Sequence, residues 1–123
     1  MKFTATELQA VLRTAYAMAY ADDRIDENEV KVMMIELNRF GVPEDMLDSL
    51  LEGVQEMDIK VALGIIAGFD IERKNYVASY LGTLLAADGE AADNEVMLWK
   101  FVTSICGLPE MTIGEAIQNI TRR

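Results

Sequence analysis

An acidic segment and its repeat constrain this chain more than any other feature. Residues Ala21-Asp22-Asp23-Arg24-Ile25-Asp26-Glu27-Asn28-Glu29-Val30 return 66 positions later as Ala87-Asp88-Gly89-Glu90-Ala91-Ala92-Asp93-Asn94-Glu95-Val96. The register persists past this elbow, because Gly41, Pro43 and Glu44 match Gly107, Pro109 and Glu110 at the same offset. Eight identities therefore fall within positions 21–44: Ala21, Asp22, Asn28, Glu29, Val30, Gly41, Pro43 and Glu44. Self-similarity at one fixed period sets an architecture before any local detail does. Residues 1–123 read as one domain of two related halves, the repeat running 17–47 and 83–113.

The segments around each elbow have helical periodicity. Thr4-x-x-Glu7 has capping-box spacing and opens a helix from about 5 to 21, whose stripe is Leu8, Val11, Leu12, Ala15 and Ala19. Asp22 prolongs that stripe. Asp26 suits the N-cap of a second helix, with Glu29 at N3, an apolar stripe of Val30, Met33, Met34 and Leu37, and Gly41 as its left-handed end. Pro43 fits the first turn of a third helix carrying Met46, Leu47, Leu50, Leu51 and Val54. Its outer side is a carboxylate row of Glu44, Asp45, Asp48, Glu52 and Glu56.

Asp58 caps a run from Ile59 to Phe69 that contains Gly64-x-x-x-Gly68. The run falls far short of the ~20 residues a membrane span needs, so a buried core helix with two close backbone approaches is expected, and no membrane insertion. From Asp70 to Ala87 the stripe is Val77, Tyr80, Leu81, Leu84 and Leu85, again ending on an aspartate, Asp88. The next helix, with Val96, Leu98, Trp99, Phe101, Val102 and Ile105, has little polar face and is expected to be the most buried. Thr112-x-x-Glu115 opens a last short helix with Ile113, Ala116, Ile117 and Ile120. No segment alternates with period two. The fold class is all-α, a single domain of about seven helices.

Composition removes several functions. A net charge of −10, from 21 acidic and 11 basic residues, repels nucleic acid and favours cations or a basic protein surface as partners. Solubility alone also accounts for such a charge. Histidine is absent, which excludes Ser-His and Cys-His catalysis and histidine-ligated zinc. Cys106 is the only cysteine, so a reducing, cytoplasmic setting fits, with the thiol packed under Trp99 and Val102. No glycine-rich phosphate loop and no activated nucleophile is visible, and no enzyme is expected.

Two readings of the elbow compete. In the first, Asp22 and Asp88 accept from loop or helix-start amides, and Glu29 and Glu95 sit where a helix dipole favours negative charge. In the second, five carboxylates in eight residues (Asp22, Asp23, Asp26, Glu27, Glu29) hold calcium, magnesium or manganese through oxygen ligands. An EF-hand is excluded, since its third, sixth and twelfth positions would be Arg24, Glu27 and Met33. The second elbow keeps Asp88, Glu90, Asp93 and Glu95 but has Ala92 in place of Asp26, so any site is asymmetric or shared between the copies.

The elbows, written Ala-Asp-(Asp/Gly)-x-x-x-x-Asn-Glu, and the Gly-(Val/Leu)-Pro after each following helix resemble the TerB-like family associated with bacterial tellurite resistance. The similarity runs from the first helix to Pro109. It implies an all-helical, non-enzymatic domain tied to metal stress, with a metal at Asp22, Asp26, Glu29, Asp88 and Glu95. Related domains serve as interaction modules, so an adaptor that uses its acidic surface without metal is the alternative. This chain departs from the family at Asp23, where a turn glycine is retained only as Gly89, and at Ala92, which lacks the capping oxygen of Asp26.

Overall fold

The computed structural model describes residues 3–19, 27–39, 41–86 and 93–121. Seven α-helices make up the described residues, with no strand among them: α1 (Ala5–Ala19), α2 (Glu27–Arg39), α3 (Leu47–Glu56), α4 (Ile59–Ala67), α5 (Ile71–Leu85), α6 (Asp93–Cys106) and α7 (Ile113–Thr121). A short 3-10 turn, Glu44–Met46, precedes α3, so Pro43 leads into that turn and not directly into the helix. The expected all-α single domain is the fold observed.

Local sequence signals place the helix ends. The Thr4 amide donates to Glu7 Oε1 at 2.8 Å while the Glu7 amide donates to Thr4 Oγ1 at 3.1 Å, a reciprocal capping box. Thr112 and Glu115 repeat it at 3.1 Å each way. Asp58 and Asp70 cap α4 and α5 by accepting from the amides of Lys60 and Arg73. At the other ends, Gly41 and Gly107 have φ of 75° and 66°. The next amides, Val42 and Leu108, reach back to the carbonyls of Leu37 and Thr103, closing α2 and α6 in the same way.

The repeat extends beyond its identities. Shifting by 66 carries the start of α1 onto α5, α2 onto α6 and α3 onto α7. It also carries buried Leu50 and Val54 onto buried Ala116 and Ile120. Only α4 has no counterpart, and it packs on α1 and α6 between the two halves.

The core is built around α5, whose residues Tyr76 to Gly82, with Leu84 and Leu85, are all buried. It packs most extensively on α7 and also meets α1, α2 and α6. A smaller cluster of Leu12, Leu37, Leu50 and Val54 ties α1, α2 and α3 together. Each such side chain contributes roughly 1.5–3 kcal/mol by leaving water.

Four expectations are corrected here. The most buried helix is α5, not α6, which exposes Met97, Phe101 and Ile105 along one side by 71%, 56% and 50%. An all-round apolar helix has more apolar surface than α1, α4 and α5 together cover. In α4 only Ala62 and Ile66 are buried, and Gly64 has nothing within 4 Å of its missing Cβ; Gly68 meets only carbonyls of its own helix. No close helix approach occurs at either glycine among the described residues. Met34 and Met46 are exposed, and the α2 stripe instead runs through Met33, Glu36 and Leu37.

Candidate functional site

The metal positions read from the sequence flank the helix junctions. Asp22, Asp26 and Asp88 lie outside the described residues, as do Asp23 and Gly89 of the expected turn. Glu29 and Glu95 are the third residues of α2 and α6, where exposed amide dipoles favour a carboxylate; their side chains also lie outside the described residues. α1 ends at Ala19 with α2 starting at Glu27, and α5 ends at Leu85 with α6 starting at Asp93. Each elbow thus falls between equivalent helices of the repeat, α1 and α2 in one half and α5 and α6 in the other. Among the described residues no three acidic or cysteine side chains gather at a point. The donor set of the elbows, carboxylates only, matches a hard cation and no soft one.

On α3 and the turn before it, Asp45, Glu52 and Glu56 are exposed, with Glu52 and Glu56 one turn apart. Glu44 and Asp48 of the same row have side chains outside the described residues.

A groove of about 780 Å³ lies between α6 and the start of α7. Buried Trp99 and Leu108 contribute to its lining, together with Lys100, Thr103, Ser104 and Glu110. Thr112 and Glu115 also border it, but both are committed to the α7 capping box. One ammonium, two hydroxyls and one carboxylate stand over apolar walls, a lining suited to binding a small polar group. Nothing in the sequence pattern points to this groove, which forms where α6, the 107–112 connection and the first turn of α7 meet.

Glu36 is a further group the sequence reading passed over. It is 5% exposed, accepts from the Tyr76 hydroxyl at 2.5 Å and pairs with Arg39 at 2.8 Å. Its position on the apolar stripe, three after Met33, was the available signal. Tyr76 stacks on Tyr80, with rings 6.0 Å apart and 5° from parallel. The Tyr80 hydroxyl is buried with no hydrogen-bond partner among the described residues. Burial first, then the Glu36 carboxylate and Tyr16, push that phenol far above its ordinary range.

Cys106 is buried as expected, its thiol directed at the Leu63 carbonyl at 3.5 Å. Burial raises its pKa, and Lys74 offsets part of the rise. No helix among the described residues is long and apolar enough to cross a membrane.

These observations define an all-α domain built on an internal helical repeat. No family model matches the chain, and no curated protein matches it. Among solved structures, PG1108 from Porphyromonas gingivalis W83, a protein of unknown function, is 44% identical with a TM-score of 0.85. The alignment covers 97% of this chain and 98% of that one. The chain belongs to the same family as PG1108.

Proposed function

We propose that this chain is a non-enzymatic binding module that holds a divalent cation (calcium, magnesium or manganese) at its acidic elbows. The observation that carries the reading is the placement of both elbows between equivalent helices of the repeat, each followed by a first-turn glutamate. Carboxylates brought to a helix start are stabilised by its dipole but repel one another, and a cation relieves that repulsion. The resemblance to TerB-like domains supports a role in metal or tellurite stress. A reducing cytoplasmic setting belongs to the same reading, supported by a lone, buried Cys106.

Metal analysis of protein purified without chelator, followed by calorimetric titration with each cation, tests this. Stoichiometric, saturable binding that is lost in Asp22→Asn with Glu29→Gln supports it. No heat of binding with any of the three cations overturns it.

A protein-binding adaptor is the second reading. It is supported by the exposed Glu52–Glu56 face and by the exposed apolar stripe on α6. Association that weakens with salt and ignores both chelator and added cation would favour it.

A further inference from the structure

We infer that α2 is a separable element, which unseats from α1 and α5 as a unit while the rest of the bundle stays folded. What makes it separable is the polar seat formed by Glu36, Tyr76 and Tyr80. The inference stands without any cation.

Three features of the seat coincide. A carboxylate, Glu36, is buried where α2 faces α5, held by Tyr76 and by Arg39 from its own helix. The Tyr80 hydroxyl is buried beside it without a partner among the described residues. A residual cavity of about 10 Å³ remains where α1, α2 and α5 meet, with Met33, Glu36 and Leu37 of α2 on one side and Tyr76 and Tyr80 on the other. A buried carboxylate or unpaired hydroxyl gains little over an apolar contact of the same size, because each has given up water on entering the seat, whereas Arg39 stays at the surface. Unseating α2 returns that water to Glu36 and Tyr80, so opening here costs less than opening elsewhere.

The other half of the repeat shows what a firmly held helix looks like at the same place. Position 66 beyond Met33 is Trp99, and beyond Glu36 it is Val102; both are buried on α6. The places of Tyr76 and Tyr80 are taken on α1 by Ala10 and Thr14, and Thr14 satisfies its hydroxyl on the Ala10 carbonyl at 3.0 Å. α6 therefore rests on apolar contact and on the Trp99 indole N–H, which donates to the Ala78 carbonyl at 3.2 Å, while α2 in the equivalent position sets a buried carboxylate between Met33 and Leu37. The outer face of α2, with Ile35 59% exposed and Met34 38% exposed, adds nothing to the seat.

Native-state hydrogen exchange on the whole chain at low urea tests this. Amides of residues 31–39 are expected to exchange through an opening of small urea dependence, with protection at least about tenfold below that of α5. Tyr80→Phe, which removes the orphan hydroxyl, and the pair Glu36→Val with Tyr76→Phe, which makes the seat apolar, should each raise α2 protection about tenfold. Exchange of α2 with the same protection and urea dependence as α5 overturns the inference. So does an unchanged or lowered α2 protection in both variants.

Discussion

Glu7 and Arg73 occupy the same place in the two halves, 66 positions apart, and their side chains meet at 2.9 Å. Phe3 and Phe69, also equivalent, bring their rings to 5.5 Å. Residues meet their own equivalents only close to a two-fold axis, as in an isologous interface. The starts of α1 and α5 therefore lie at an approximate axis within one chain. Identical charges would repel at such a point, and the exchange of one copy to arginine converts the clash into a pair. Arg73 also lies over both rings, 5.4 Å from Phe3 and 6.0 Å from Phe69.

A double-mutant cycle with Glu7→Gln and Arg73→Gln should give a coupling of about 0.5 kcal/mol at low salt that shrinks in sodium chloride, since both groups remain partly exposed. Arg73→Lys should still cost about 0.5–1 kcal/mol, because the planar stacking on the phenylalanines is lost. Urea denaturation midpoints measure both. A coupling of zero at low salt would remove the pair from the list of contacts that join the halves.

Two glycines in helices should respond oppositely to alanine. A Cβ at Gly82 would stand 2.7 Å from Ala116 Cβ and from the Trp99 ring, so Gly82→Ala should destabilise by about 1–3 kcal/mol, somewhat offset by helix propensity. Gly64 has open space around it, so Gly64→Ala should stabilise by about 0.5–1 kcal/mol. Denaturation of the two variants side by side decides, and equal signs would contradict the packing of α5 between α6 and α7.

Tyr80 predicts an alkaline limit. Its folded pKa is raised above the unfolded value of about 10, so the fold favours the protonated phenol. The stability this contributes is whole below about pH 10 and falls as pH rises beyond it, where the unfolded chain alone releases the proton. Denaturation midpoints between about pH 8 and 11 should therefore decline less steeply in Tyr80→Phe than in the parent. Identical slopes would mean that another group sets the limit.

Cys106 should react slowly with thiol reagents. Its side chain is buried, and its pKa is raised by that burial. Labelling should follow the unfolding rate and accelerate in urea. Rapid labelling of the folded protein would contradict the packing of α6.

Helix ends were legible in the sequence because they depend on residues within one turn. Thr4 with Glu7, Thr112 with Glu115, Asp58, Asp70, Gly41 and Gly107 all act where the spacing placed them. Helix order and the two-half plan followed from the repeat. Burial was less legible, because it depends on which neighbour arrives. The apolar residues of α6 are more than its partners cover, so Phe101 and Ile105 stay exposed while Trp99 and Val102 do not. Gly64-x-x-x-Gly68 had a spacing for close contact and no helix to meet there. Glu36 was missed because a stripe is read by its apolar members, and its partner Tyr76 is 40 residues away. The groove beside Trp99 depends on how the chain folds back between α6 and α7, which periodicity within either helix does not reveal. The elbow carboxylates are plain in the sequence, but one spacing suits both a cap and a cation.

Heat denaturation during cation titration tests the cation-binding reading most directly. A bound divalent ion stabilises the folded chain by mass action, about 2.7 kcal/mol at a hundredfold excess over the dissociation constant, which is several degrees for a domain of this size. Sodium chloride at matched ionic strength serves as the control, because screening alone stabilises a chain of net charge −10. The expected result is a saturable rise with calcium, magnesium or manganese, beyond the control and abolished in Asp22→Asn with Glu29→Gln. A rise that only follows ionic strength, or one that survives the double substitution, would contradict a cation at the elbows and leave them as helix caps.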